Sequence, residues 1–284
     1  MKLLAWLAVP VLLGVVVGLG GMVQWDRTSA ALIRRLSDDA GRSGAGPAVT
    51  LAGVDELPAP VARYLRLVLS DGVPVPAVLR VRQEGTFLVA PEANRWGPFT
   101  ADEYFSIEPP GFVWAARIGM APLVSVRVRD GFVAGEGSMR AAVLGLFTVA
   151  NSAGTPEIRE AALHRYLAET AWFPAALLPG AGVTWTALDD STARGTITAG
   201  AATVWLDFHF GGDGLLQRVS TPARGRDVAG RSVPTPWEGR FARYARHAGM
   251  LIPEEGEVAW RIEGTLQPYW RGRIVGVEEY RPDR

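Results

Sequence analysis

Residues 78–89 read VLRVRQEGTFLV, with apolar side chains alternating against Arg80, Arg82 and Glu84. Alternation at period two places one face of an extended segment on a core and the other in water. The same pattern recurs in Phe112–Ile118, in Val124–Val133 with a turn expected at Asp130-Gly131, and in Val183–Leu188, Ala193–Thr198, Thr203–Phe210 and Leu215–Thr221. Glu257–Glu263 and Tyr269–Tyr280 close the series, and Asp189-Asp190 and Gly211-Gly212-Asp213-Gly214 supply turns between runs. Strands of this kind joined by Gly/Asp turns predict an antiparallel meander wetted on one side.

Helical periodicity is rarer. Pro60–Leu69 carries Val61, Tyr64, Leu65, Val68 and Leu69 at helical spacing. A second helix opens at Thr155-Pro156-Glu157, an N-cap hydroxyl followed by a proline at N1 and an acid in the first turn, and runs to about Thr170. Ile158, Ala162, Tyr166 and Leu167 line one side of it, and Trp172-Phe173-Pro174 ends it. A large meander with a few covering helices is an α+β fold.

Ahead of this domain, Leu3–Val23 is free of charge and reads LLAWLAVPVLLGVVVGLGGMV. At about 1.5 Å per residue it is roughly 31 Å long, enough to cross a bilayer core. Trp6 and Trp25 stand near its ends, where indoles suit the membrane interface, and Pro10 and Gly14 are tolerable inside it. It is expected to be an uncleaved anchor. A cleaved signal, with Gly18-Leu-Gly20 as its weak site, and a buried core helix are the alternatives. Arg27, Arg34 and Arg35 would by the positive-inside rule hold the following domain in the cytoplasm. Long domains translocate regardless of such charges, and the expectation is a single-pass cell-membrane protein with an extracytoplasmic domain. The chain thus divides into an anchor (1–25), a juxtamembrane helix and flexible linker (26–56) and one domain (57–284). Ser29–Leu36 extends the helix, and DDAGRSGAGP (38–47) has the composition of a spacer.

The 284 residues carry 29 Lys or Arg, 29 Asp or Glu and no cysteine. A formally neutral chain does not present the basic face of a nucleic-acid binder. His164, His209 and His247 are isolated, so no metal site and no cofactor is expected. Gly135-Glu136-Gly137-Ser138 lacks the pattern of a nucleophile elbow. Asp189-Asp190, Glu254-Glu255 and Glu278-Glu279 are neighbours in sequence, whose side chains point to opposite faces of a strand and form no acid/base couple. No catalytic residue is assigned, and the protein is expected not to be an enzyme. Ten tryptophans remain, most of them on strands or helix ends. They fill the core of one large curved sheet, or some line an apolar pocket. Arg165 and Glu169, four apart with Trp172 one turn on, share a strip of the second helix.

Several strings occur together and in order: LPAPVARYLRLVL (57–69), VRQEGTF (81–87), PFTADEYFSIEPPGFVWAARI (98–118), RDGFVAGEGSMRAAVLGLF (129–147), RYLAETAWFPAALLP (165–179) and VPTPWEGRFARY (233–244). They resemble a family of bacterial domains of unknown function, the DUF6544 group, previously described as DUF6920. The resemblance implies no activity and no catalytic residue. The architecture is also similar to the open-barrel lipoprotein-carrier fold, in which a bent antiparallel sheet covered by helices holds acyl chains. That likeness implies an open half-barrel and a lipid or acyl-chain ligand, with Trp114, Trp172, Phe173, Trp185 and Trp205 as wall and Arg165 and Glu169 as rim. This chain departs from lipid-anchored carriers in having no cysteine to acylate. An envelope interaction module without ligand, its protein partner unidentified, is the alternative; a hydrolase using carboxylates such as Glu136, Asp190 or Glu257 is the third reading.

Overall fold

A computed structural model describes residues 2–42, 48–122 and 124–282, with only the helical backbone given for 2–17 and 42. Helix α1 (Lys2–Arg42) leads to α2 (Ala59–Val68), followed by strands β1 (Leu79–Ala90), β2 (Arg95–Ser106), β3 (Gly111–Ala121), β4 (Val124–Val133), β5 (Glu136–Val143) and β6 (Phe147–Ala153). Helix α3 (Pro156–Glu169) and two short 3-10 turns precede a second series: β7 (Val183–Ala187), β8 (Thr192–Ala199), β9 (Ala202–Phe210), β10 (Leu216–Val228), β11 (Arg231–His247), β12 (Met250–Ile262) and β13 (Thr265–Glu279).

All thirteen strands form one antiparallel sheet in the order β6-β5-β4-β3-β2-β1-β13-β12-β11-β10-β9-β8-β7. It consists of two meanders welded where β1 pairs with β13, Leu79 opposite Glu279 and Phe87 opposite Trp270. Hairpins turn at Ala134-Gly135, Ala229-Gly230, Ala248-Gly249 and Glu263-Gly264, where both residues have positive φ. That is the type I′ geometry, whose twist matches the flanking strands. Asp130-Gly131 is not a turn: it continues β4, with Gly131 opposite Val113 and Asp130 opposite Trp114. The ladder to β3 fixes it, and the chain reverses at Ala134-Gly135 instead.

The sheet curls until its two ends approach. A row of glycines crosses its middle, Gly85 opposite Gly272 and Gly272 opposite Gly256, flanked by Phe99 and Phe241. A Cβ on Gly256 would stand 3.1 Å from the Trp172 ring and 3.3 Å from Trp270. Bare backbone there lets the sheet bend and two indoles approach it closely. At the rim, Gly135 of the β4–β5 turn meets Gly200 of the β8–β9 turn so closely that a Cβ on Gly135 would be 2.9 Å from the Gly200 Cα. The edge strands β6 and β7 do not pair, so the barrel is open. Helix α3 spans the opening, packed on β4 and β5 from one meander and β9 and β10 from the other. Its N-cap is Thr155, whose hydroxyl oxygen accepts from the Ile158 amide at 3.3 Å.

The inner face holds the main core, built on Phe99, Phe105, Phe112, Phe132 and Phe208 from the sheet with Tyr64 and Leu65 of α2 and Leu163 and Tyr166 of α3. On the outer face, α1 buries Trp25, Ser29, Ile33, Leu36 and Ala40. Those spacings of three and four residues make one stripe along a helix. Ile33, Leu36 and Ala40 pack on Val78, Tyr104, Val113 and Val133. Ser29–Leu36 is helical and continuous with this docked stretch. The domain is mostly β, with three α-helices among the described residues. The expected span Leu3–Val23 begins on α1 with residues 3–17, including Trp6, Pro10 and Gly14, whose side chains lie outside the described residues; so do positions 43–47 of the expected spacer. Among the described residues no helix is long and apolar enough to cross a membrane.

Candidate functional site

Between the bent sheet and α3 lies a half-enclosed cavity of about 420 Å³. Its wall is aromatic and aliphatic, with Trp114, Trp172, Trp237, Trp270, Phe241 and Tyr269 as its large rings. Such a volume falls within the range of about 300–1,000 Å³ common for small-molecule sites. A wider trough of about 1270 Å³ opens nearby over β1, β2 and β11–β13. Three of its carboxylates are already paired, Arg273 with Glu84, Arg271 with Glu257 at 2.7 Å and Arg243 with Glu255 at 3.3 Å, and Asp213 accepts from the Leu215 amide at 3.0 Å. Charges cancelled among themselves in open water bind little. The half-enclosed cavity, which excludes water from apolar walls, is the better candidate.

One polar cluster stands in that wall. Glu103, Trp114 and Asp130 occupy a single cross-strand row on β2, β3 and β4. Arg165 of α3 lies over this row, its guanidinium 4.7 Å from the Trp114 ring centre and 5.1 Å from Phe112. It donates to Glu103 at 2.9 Å, Asp130 at 2.8 Å and Glu169 at 2.8 Å. Gln83 bridges the base, donating to Glu103 at 2.6 Å and accepting from the Trp114 indole at 3.0 Å. One cation thus faces three carboxylates. Burial opposes the Arg165 charge, but Glu169, Glu103 and Asp130 outweigh it and hold the guanidinium protonated. Glu103 is fully buried; desolvation first, then the nearby Glu169 charge, push its carboxyl well above the ordinary range. Desolvation likewise raises Glu169. The Glu169 Oε2 atom is buried without a donor. A proton retained by this pair of carboxyls supplies that missing partner and lowers the cluster's net charge.

A second arginine borders the same cavity. Arg224 of β10 donates to the Tyr269 hydroxyl at 3.2 Å and to the Ala161 carbonyl at 3.2 Å. Its guanidinium lies 4.6 Å from the Trp237 ring centre. His164 is half-buried on the facing helix; burial and the Arg224 charge lower it to about 4, so the ring is neutral at pH 7.

Of the residues anticipated from sequence, Trp114, Arg165, Glu169 and Trp172 come together at this cavity. Phe173, Trp185 and Trp205 do not line it. Phe173 turns into the core against Phe105, and Trp185 packs at the β7 end against Phe208. Trp205 falls on the opposite strand phase from the buried Val204 and Leu206, and Arg194 stacks on it 3.6 Å from the ring centre. Strand parity puts it on the outer face. Arg165 and Glu169, expected at the rim, stand in the cavity wall as part of a half-buried cluster. Gln83, Glu103, Asp130, Arg224 and Tyr269 escaped sequence reasoning. Glu103 left a signal: it shares the core-facing phase with Phe99, Ala101 and Phe105.

Catalytic arrangements fare differently. Glu136 pairs with Arg159, Arg63 donates to the Asp190 carbonyl, and Glu257 pairs with Arg271, each in a separate place. His209 Nε2 lies 2.9 Å from the Ser220 hydroxyl, but its Nδ1 faces the Thr192 hydroxyl at 3.4 Å. A hydroxyl does not stabilise an imidazolium as a carboxylate would, and His209 shares the outward phase of Trp205. Among the described residues no group of three or more His, Asp or Glu is placed to hold a metal ion.

Fold and cavity together define an open antiparallel half-barrel with an apolar chamber beneath its bridging helix. The chain belongs to the family of unknown function DUF6920, whose model matches residues 55–278. Among solved structures it is similar to a putative outer membrane lipoprotein-sorting protein domain from Vibrio parahaemolyticus, at 6% identity and a TM-score of 0.37, over 71% of this chain and 84% of that one. It is similar also to a LolA superfamily protein from Nitrosomonas europaea, with 9% identity, a TM-score of 0.37 and coverage of 83% and 96%. A beta-barrel-like protein of domain of unknown function DUF1849 from Brucella abortus shares 10% identity at a TM-score of 0.28, over 72% and 98%. No protein of curated function matches the sequence.

Proposed function

We propose that this domain binds a lipid or other apolar ligand in the chamber between the sheet and α3. The observation that carries the reading is the chamber itself: about 420 Å³ of space walled by four indoles and closed on one side by α3. Apolar chains entering such a space gain roughly 25 cal/mol for each Å² removed from water. No water-activating or nucleophilic constellation stands in the wall, which supports binding rather than turnover.

Membrane attachment belongs to the same reading. The uncharged run Leu3–Val23 supports an anchor, and α1 continues from it onto the outer face of the sheet. A domain so attached takes its ligand from, or delivers it to, the membrane on the extracytoplasmic side.

The wall supplies its own probe. A brominated acyl chain should quench tryptophan emission of the full chain saturably, while the unbrominated chain should only compete. The chain should also stay with membranes through an alkaline wash. Absence of saturable quenching would reject the ligand, and release by the wash would reject the anchor.

A further inference from the structure

The two arginines bordering the chamber differ in what they lack. Arg165 has three carboxylates. Arg224 makes no ion pair among the described residues, and its Nε is buried with no hydrogen-bond partner. A guanidinium offers five N–H donors and accepts nothing. Its protein partners are one carbonyl, that of Ala161, and one hydroxyl, that of Tyr269.

The Tyr269 hydroxyl is itself committed. Its oxygen accepts from the Trp237 indole at 3.0 Å and from Arg224 at 3.2 Å. Two N–H donors fill both lone pairs of a phenol oxygen, so its own hydrogen can only be given away. Among the described residues nothing takes it. The Trp172 indole N–H, elsewhere in the same wall, is also buried without an acceptor. This end of the chamber is therefore all donors and carries an uncompensated positive charge. The nearby carboxylates, Asp130 and Glu169, pair with Arg165 and not with Arg224, though Glu169 does so through Oε1 alone. Arg224 is half-buried rather than sealed from water, but its charge has no counter-charge in the wall, and polar groups left unpaired there call for a partner from outside the chain.

We propose that Arg224 and Tyr269 form the head-group site of the chamber, and that its ligand is an anionic amphiphile: one apolar chain ending in a carboxylate. The chain lies among the indoles, and the head accepts hydrogen bonds from the Arg224 guanidinium and the Tyr269 hydroxyl. This rests on the apolar-ligand reading above and adds the charge of the ligand to it. Cation–π contact with Trp237 keeps the guanidinium in place before the anion arrives.

The test compares brominated stearate with the matching brominated stearyl alcohol, read by tryptophan quenching of the full chain in digitonin at a pH where the carboxyl is ionised. The natural protein should bind the carboxylate about tenfold or more tightly than the alcohol, as a charge-assisted hydrogen bond requires. In Arg224→Gln the ratio should fall to near one. Tyr269→Phe should lower it several-fold, which keeps the proposal testable if the arginine variant fails to fold. Equal binding of both probes by the natural protein, or a ratio that survives both substitutions, would overturn the head-group site while leaving the chamber reading intact. No quenching by either probe would overturn both. Displacement of the stearate by acetate at matched concentration would reduce the site to one for free anions, and so reject the amphiphile.

Discussion

The inner and outer faces of this sheet are both covered by helix, yet only the inner one encloses an apolar chamber; the outer recess of about 410 Å³ beside Trp25 and Ser29 is lined largely by charged groups such as Arg80, Arg82, Asp102 and Arg127. Outside, α1 lays a stripe of Ile33, Leu36 and Ala40 on Val78, Tyr104, Val113 and Val133. A helix touches a convex surface along a line, and around Leu36 side chains of ordinary size fill the contact. Inside, α3 spans from β4 and β5 to β9 and β10 like a beam across a trough. It can reach both flanks only by standing off the floor, where the glycine row and its indoles lie. Curvature, allowed by the glycine row, together with a bridging helix makes the void.

The two faces also treat charge differently. At α1, Arg127 pairs with the exposed Asp26, and Arg129 donates to Thr28 and Ser29 and stacks over Trp25. Water reaches the Asp26 carboxylate, while Arg129 stands against the buried Trp25 and Ser29. Within the trough wall the Arg165 cluster has little water to share, so its members depend on one another.

Substitutions should separate the faces. Arg165→Ala leaves Glu103, Asp130 and Glu169 facing one another without a cation. A loss of about 3–5 kcal/mol in denaturant unfolding is expected. A loss below about 1 kcal/mol would show that the carboxylates do not need it, and would break the distinction between the faces. Leu36→Ala removes a buried side chain from the outer seam and should cost about 2–4 kcal/mol. It should leave the chamber's response to a brominated chain unchanged, since none of the described α1 side chains lines it. Quenching that weakens in parallel with stability would mean the two faces act as one unit.

The smallest effect is set by pH. His164 is lowered from 6.5 to about 4, so the folded protein resists its protonation. Its contribution is present above about pH 6.5 and is lost as pH falls towards 4. Because the ring is partly solvated, about 1–2 kcal/mol should disappear across that window, and His164→Gln should flatten it. Glu103 and Glu169 act with the opposite sign: raised above the carboxylate range, they favour the fold at low pH and lose that contribution as pH rises. A melting profile in which His164→Gln changes nothing between pH 4 and 6.5 would remove the histidine from this account.

Much of the architecture could be read from periodicity. Thr155-Pro156-Glu157 announced α3, and alternation in VLRVRQEGTFLV announced β1. Strands β2, β5, β6 and β11 were harder. Pro98 in β2 and Pro234 and Pro236 in β11 argue against strand, and tertiary pairing overrides them. The Ala-Gly turns at 134, 229 and 248 carried a signal, since a glycine second in a two-residue loop suits positive φ at both positions. Of the site, Arg165, Glu169 and Trp172 were visible as one strip of a helix, and Trp114 as one of the strand tryptophans. Arg224 and Tyr269 were not, because they lie on strands β10 and β13 and meet only through the curl of the sheet.

Sequence alone determined most of the elements, because side-chain direction alternates along a strand and repeats along a helix whatever the partner; it did not settle which phase of β9 faces inward, since Trp205 lies outside. It also determined the uncharged stretch at the start and the supply of indoles. Tertiary structure decided which inward residues share a wall. Glu103, Asp130 and Arg165 come from segments far apart in the chain, and so do Arg224 and Tyr269. Their distances follow from the bend at Gly85, Gly256 and Gly272, which sums small twists over thirteen paired strands and which no local window contains.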